Sequence, residues 1–334
     1  MIVAPERGLK PADFGREIRP ALQRNCPLCA GNERHTAHEI LALRDHGTPV
    51  DGPGWRVRVV PNKFPVLRVE GSLERWGRGL YDQESGIGAH EVIIETPHHD
   101  RTLADLRVEE IRDVLWVFRA RLQDLQRDLR FRYHMLFKNH GVEAGAQLDH
   151  PHSQIIAVPE IPPQIATELA SARDYFRRKE RCLLCDIVRQ ELEDRERVVL
   201  DAARFVAFTP FASALPFEIA IYPRFHSHDH TSLSDEDLLH LASAIKDVLS
   251  RLRATLDAPP YNLVLHGAPP AHPRPGRPGI WDSLRFDWHW HIEIVPRITR
   301  MAGFELGSGF HINPVVPEEA AKFLREAALS SPAG

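Results

Sequence analysis

One pattern occurs twice in this chain, and it limits the folds the chain can adopt. Cys26-Pro27-Leu28-Cys29 opens the first occurrence and Cys182-Leu183-Leu184-Cys185 the second. Each pair is followed by strand-like apolar stretches, one of which stops at a proline and histidines. In the first half this is Glu91–Glu95 before Pro97-His98-His99; in the second it is Phe217–Tyr222 before Pro223, His226, His228 and His230. One long helix follows in each half, from Val108 to about Leu129 and from Ser234 to about Leu256. The first has apolar residues at helical spacing (Ile111, Leu115, Phe118, Leu122, Leu125), and the second opens on a Ser-x-x-Asp capping signal at Ser234 and Asp237. A further strand (Tyr133–Phe137, Tyr261–Leu265), a loop and a His-x-His that runs into an apolar strand complete each copy: His150-Pro151-His152 and His289-Trp290-His291. Self-similarity of this length is an internal duplication. It predicts an α+β chain of two tandem units, 1–165 and 166–334, each an antiparallel sheet with one long helix. Trp55–Val60 alternates as a strand does, and residues 70–88, polar and glycine-containing, are expected to be a loop.

Composition narrows the setting. The net charge of −4 gives no basic excess for nucleic acid, and no apolar run reaches the length of a membrane span. The opening residues Met1–Arg7 lack the pattern of a signal peptide, so the cytoplasm is the expected compartment, with its thiols reduced.

All four cysteines lie in the two Cys-x-x-Cys pairs, which stand about 150 residues apart. A zinc ribbon needs about 15–20 between its pairs, so each pair is expected to find its own histidines. The candidate groups are Cys26, Cys29, His99 and His150, and then Cys182, Cys185, one of His226, His228 or His230, and His289. Two thiolates with two imidazoles suit closed, tetrahedral, structural zinc. A redox dithiol and inert buried cysteines are the alternatives.

If the first histidine of each His-x-His holds metal, the second is free for chemistry. His152 is followed by Ser153-Gln154, whereas His291 is followed by Ile292-Glu293. A glutamate repels an incoming phosphate, while a glutamine amide can donate to it. Only the first copy is therefore expected to be catalytic. A neutral imidazole can attack phosphorus near pH 7 and split a transfer into two steps. Gln154 and the amides around Gly141–Gly145 are the expected donors to the phosphate oxygens.

Read in order, the motifs resemble the galactose-1-phosphate uridylyltransferase family, a branch of the histidine-triad superfamily, with similarity to its ADP-glucose phosphorylase members. The resemblance rests on Cys26 to Asn32, Pro97 to Leu103, Phe137 to Gly145, His150 to Gln154, Phe217-Glu218, His266 to Pro269, His289-x-His291 and Gly303-Phe304-Glu305. It implies two histidine-triad-like repeats, the second a non-catalytic copy. It also implies a ping-pong transfer of a nucleoside monophosphate, UMP between UDP-glucose and galactose 1-phosphate, through a nucleotidyl-histidine on His152 with Gln154 on the transferred phosphate. The alternative is ADP-glucose with phosphate by the same covalent step. A zinc-stabilised nucleotide-binding module without turnover is the reading of another class, and a hydrolase of nucleotide conjugates a further one. By the same resemblance Arg7, Asn62, Phe64, Asn139 and Gly145 bind nucleotide, Phe304 and Glu305 bind the hexose, and Cys26, Cys29, His99 and His150 bind zinc. The second metal site has two family versions. One is Cys182, Cys185, His226 and His289, favoured here with zinc; the other is Glu168, His266, His289 and His291, where iron is an option. A homodimer acting on nucleotide sugars and hexose 1-phosphates, away from nucleic acid and membranes, is the implied assembly. Lys63, Gln147 and Phe304 depart from the uridylyltransferase pattern, and Gly303 to Pro314 is closer to the ADP-glucose phosphorylase one.

Overall fold

A computed structural model describes residues 26–273 and 279–329. Arg7 lies outside the described residues, as does part of the loop that follows His266. Ten of the strands form one antiparallel sheet. The first half supplies β1 (Leu41–Arg44), β2 (Trp55–Pro61), β5 (Ala89–Ile94), β6 (Tyr133–His140) and β7 (His152–Val158). The second supplies β8 (Val198–Asp201), β9 (Phe205–Phe208), β10 (Ile219–Pro223), β11 (Tyr261–His266) and β12 (His291–Pro296). Their order is β1-β2-β5-β7-β6-β11-β12-β10-β9-β8. Read inward from either edge, the two halves have the same succession, so the repeated sequence is a repeated topology. They meet at β6 and β11, which pair antiparallel from Tyr261↔His140 to Leu265↔Leu136.

Strand alternation gives this sheet two unlike faces. On one lie Ile93, Leu136, Ile155 and Ala157, with Ile219, Leu263, Leu265, Ile292 and Ile294 from the second half. They pack under the long helices α1 (Val108–Leu125) and α4 (Asp235–Leu256), which touch each other across the join. The other face carries both His-x-His segments. It is covered by smaller clusters: Cys26, Leu28, Trp55, Val60 and Ile94 over the first half, Tyr133, Ile165, Leu169, Leu284 and Trp288 near the middle, and Val188, Val206, Phe208, Ala220 and Tyr222 over the second. Helices α2 (Pro163–Lys179), α3 (Leu183–Asp194) and α5 (Leu284–Asp287) supply that cover.

Local chemistry explains where elements start and stop. Ser234 Oγ accepts from Asp237 N at 3.0 Å and Asp237 Oδ2 accepts from Ser234 N at 3.3 Å, the reciprocal cap the sequence signals. Helix α1 ends at Leu125, a turn earlier than its apolar pattern predicts, because Leu129 is exposed and the chain tightens through Arg127 N to Asp124 O and Asp128 N to Leu125 O. The expected loop at 70–88 instead contains a hairpin, β3 (Arg75–Arg78) and β4 (Tyr81–Glu84). Its two-residue turn starts at Gly79, φ +62°, a conformation glycine takes freely. Every residue of both strands is exposed, so the hairpin leaves no apolar alternation to read. The second Cys-x-x-Cys also proves to lie at a helix start, with Cys182 the N-cap of α3.

Candidate active site and metal centres

His152 opens β7, opposite Ile94 of β5, and is buried. Its Nδ1 lies 2.8 Å from the carbonyl oxygen of His150. A carbonyl only accepts, so Nδ1 carries the ring proton and Nε2 presents its lone pair. Burial pushes the imidazole below its ordinary pKa, the Lys138 ammonium adds to this, and the ring is neutral at pH 7. The ladder starts at His152, with Glu95 N bonding Pro151 O just beyond it, so His150 stands outside the strand proper.

Behind His152, on the helix-covered side, is a closed charge group. Lys138 Nζ donates to Glu95 Oε2 at 2.8 Å and to His152 O at 3.2 Å, and Ser153 Oγ donates to Glu95 Oε1 at 2.6 Å. Lys138 and Glu95 are both buried, so neither charge has water as an alternative partner. Sequence reasoning missed this pair; the only signal was a lysine directly after the apolar run Met135-Leu136-Phe137.

On the site face, Gln154 Oε1 lies 2.7 Å from His90 Nε2. Asn62 donates its backbone N–H to His90 O at 2.8 Å, and its Oδ1 accepts from Phe64 N at 2.9 Å. That turn leaves Phe64 exposed, a ring free to stack on a flat partner. Asn139 is held by a residue of the other half: Asn262 Nδ2 donates to Asn139 Oδ1 at 2.8 Å and to Ala144 O at 2.9 Å. His90 and Asn262 were both missed from sequence, although Asn262 is the direct cross-strand partner of Asn139. Gly141 and Gly145 sit at φ +84° and +86°, as a tight glycine loop requires. One expectation is corrected here. The amides of Ala144, Gly145 and Ala146 donate within the loop, to Gly141 O, Val142 O and Gly141 O, so they are not available to a phosphate. The loop is too short to fold without them.

Phe304 and Glu305 lie in α6 (Gly303–Ser308), in the second half of the chain. Glu305 accepts from Ala302 N at 2.7 Å and Ile312 N at 3.3 Å, and the following Asn313 bonds Ser213 and Leu215 of the second half. Among the described residues no hydrogen bond joins Phe304 or Glu305 to the first half.

Among the described residues, three groups have ligand atoms close enough together to hold a metal ion. The first is Cys26, Cys29, His99 and His150, with Cys29 Sγ at 3.5 Å from His99 Nδ1 and 3.6 Å from His150 Nδ1. Bonds of about 2.3 Å to sulfur and about 2.0–2.1 Å to nitrogen give a tetrahedron an S···N edge of about 3.5 Å, so the spacing fits. His150 Nε2 bonds Thr96 O at 2.8 Å, which leaves Nδ1 as the ligating nitrogen. The second is Cys182, Cys185, His226 and His289, with Cys185 Sγ at 3.2 Å from both histidine Nδ1 atoms. The hydrogen bond from Cys185, with those from His226 and His289, pulls the Cys182 thiol down to about 3, where it is a thiolate ready to ligate.

The third group is Glu168, His266 and His291, and it corrects the alternative ligand set. His289 does not join it, because its Nδ1 faces Cys185. His266 Nδ1 meets Glu168 Oε2 at 2.9 Å, and its Nε2 meets Glu293 Oε2 at 3.1 Å. The two sets therefore do not compete for one histidine.

Family models for the N-terminal and C-terminal domains of galactose-1-phosphate uridyl transferase match residues 6–162 and 168–331. An ADP-glucose phosphorylase from Arabidopsis thaliana is 33% identical over 99% of this chain and 90% of its own length. A galactose-1-phosphate uridylyltransferase from Thermotoga maritima is 28% identical over 93% of this chain and 92% of its own. Among solved structures, the Arabidopsis thaliana ADP-glucose phosphorylase with bound ADP-glucose superposes with a TM-score of 0.78 at 32% identity, covering 98% of this chain and 95% of that one. A uridylyltransferase superposes at 0.76 with 30% identity, over 91% of each.

Proposed function

The chain belongs to the galactose-1-phosphate uridyl transferase family, and on that premise we propose that it is a nucleotidyltransferase working through a covalent nucleotidyl-histidine on His152. The observation that carries this is the tautomer imposed on His152. With Nδ1–H held by His150 O, the Nε2 lone pair is free to attack. In the first step Nε2 forms a bond to the α-phosphorus of a nucleoside diphosphate hexose. The phosphorus–oxygen bond to hexose 1-phosphate breaks, and its electron pair leaves with that product. In the second step an acceptor phosphate oxygen attacks the same phosphorus and the N–P bond breaks. Neither step needs a proton to move at His152. Gln154, Asn62, Phe64, Asn139 and Gly145 are proposed to contact the nucleotide, and the remaining amide donors of Gln154 face the transferred phosphate.

Cys26, Cys29, His99 and His150 would hold zinc, as would Cys182, Cys185, His226 and His289. Such zinc is structural: it closes the fold around each His-x-His. In the first half it fixes His150, whose carbonyl orients His152. Phe304 and Glu305, bound up within the second half, are proposed to serve the sugar of a second copy in a homodimer.

ADP-glucose with phosphate as acceptor is the substrate pair we favour. The similarity to an ADP-glucose phosphorylase supports it, at 33% identity over 99% of this chain against 28% over 93% for the Thermotoga maritima uridylyltransferase. UDP-glucose with galactose 1-phosphate is the second reading, favoured by the family models. Incubation with ADP-glucose or UDP-glucose, without acceptor, followed by intact mass measurement separates them. An AMP adduct absent from His152→Ala supports the first reading and a UMP adduct the second. No adduct with either donor overturns covalent transfer.

A further inference from the structure

His90 belongs to no motif that pointed to this function, yet it touches two of the segments assigned to the nucleotide. It is the second residue of β5, buried, on the site face beside Val92 and Ile94. Its strand partner on β7 is Ile156, which places its ring next to Gln154. The tautomer of that ring follows from the one partner that cannot turn round, the backbone of Val66. Val66 N can only donate, and it lies 3.3 Å from Nδ1, so Nδ1 accepts. The proton of the neutral ring is then on Nε2, where Gln154 Oε1 accepts it at 2.7 Å. The Asn62 side-chain nitrogen, its orientation set by Phe64 N at Asn62 Oδ1, stands 3.0 Å from the same Nε2; both are donors, so the Nε2 proton goes to Gln154 Oε1 alone.

An amide side chain has two faces of opposite polarity, and free rotation presents either one. Oriented oxygen-outward, Gln154 would repel a phosphate; oriented nitrogen-outward, it donates to one. Resting on the reading of His152 as a nucleotidyl acceptor, we propose that His90 is the positioning residue that locks Gln154 nitrogen-outward. The Nε2–H of His90 occupies the Gln154 oxygen, so the amide NH₂ is what remains for the transferred phosphate. Asn62 is tied to His90 separately, through the backbone bond from Asn62 N to His90 O. Replacing the His90 side chain loses the bond from Val66 N and releases the amide, while the backbone bond from Asn62 N to His90 O still ties the nucleotide turn to β5.

The test is a double-mutant cycle between His90→Phe and Gln154→Ala, read as the single-turnover rate of nucleotidyl adduct formation. His90→Phe keeps a planar ring and removes both nitrogens. It is expected to slow the rate by about 10- to 100-fold, the range over which an outer partner of a binding group acts. The loss should fall on kcat, with KM for the donor nearly unchanged, and metal content and melting temperature should stay at wild-type values. His90→Gln, which can still donate to Gln154 Oε1, should recover most of the rate. In the Gln154→Ala background His90→Phe should have almost no further effect. A His90→Phe enzyme as fast as wild type, or losses that simply multiply in the double variant, overturns the proposal. Wild-type protein that forms no adduct sinks covalent transfer itself. The same cycle is then read in the affinities for AMP and UMP, where additive effects or no binding at all overturn the role of His90.

Discussion

The two halves of this molecule place a histidine at the same point of the same topology and surround it with opposite chemistry. His152 and His291 each open the strand that follows a His-x-His. Each neighbours a histidine in a cysteine group, and each has Nδ1 directed at the preceding histidine's carbonyl, at 2.8 Å for His152 and 3.4 Å for His291. What differs is the neighbour two residues on. Gln154 is neutral and is occupied on its oxygen side by His90. Glu293 is a carboxylate that lies between His266 and His291, at 3.1 and 3.7 Å. His291 is further enclosed by Tyr222 and His266, stacked at 4.8 and 4.6 Å between centroids. The backbone supplies a poised imidazole in both places; only the side chains around it decide whether phosphorus can reach it.

The sharpest way to break that contrast is to remove the two histidines in turn. His152→Ala should abolish adduct formation and lower turnover on the order of 10⁴-fold or more, as loss of a covalent nucleophile does, while His291→Ala should leave turnover within a few-fold. Equal losses in steady-state assays would erase the distinction between the halves. Exchanging the flanking residue comes next. Gln154→Glu puts the second half's carboxylate into the first and should cost about 10²- to 10³-fold in rate, since it replaces a donor with a like charge beside phosphate.

Metal should matter alike to both halves. Cys26→Ser and Cys182→Ser should each lose about one zinc per chain by elemental analysis and lower stability by roughly 3–5 kcal/mol, but only Cys26→Ser should also slow transfer strongly, through His150. Zinc retained at full occupancy in Cys182→Ser would count against the second cysteine group.

The smallest effect concerns the third group. Burial works against a charged His266, but hydrogen bonds to Glu168 and Glu293 outweigh it and lift the imidazole to about 10. An unfolded histidine ionises near 6.5, so this contribution to stability is complete below about pH 6.5 and fades as pH rises through about 10. Denaturant unfolding across that range should show the decline in wild type and a weaker one in Glu293→Gln, a difference of about 1–3 kcal/mol near pH 7. Stabilisation of this group by added metal, with no such pH slope, would assign it to metal binding instead.

The contrast between halves also explains what the sequence disclosed. Duplicated spacing made the strands, the long helices and both cysteine groups legible, because ligand types repeat and their partners lie at matching positions. The exchange of Gln154 for Glu293 was legible for the same reason: a difference stands out against a repeat. The residues that escaped notice act across the repeat or beneath it. Asn262 reaches Asn139 from the other half, Lys138 and Glu95 neutralise each other inside the core, and His90 meets Gln154 from the neighbouring strand. None of these pairings leaves a spacing signature, since each joins distant segments through a contact that only the sheet creates. The β3–β4 hairpin was hidden differently, by having no buried face at all.

The seam between β6 and β11 has a consequence for how the halves depend on each other. A first half cut loose at residue 165 would present β6 as a bare edge, the kind that recruits other chains. It would also surrender the Asn262 bonds that steady Asn139 and the glycine loop. The second half thus shields the strand that pairs with the one carrying His152 for as long as the protein stays folded.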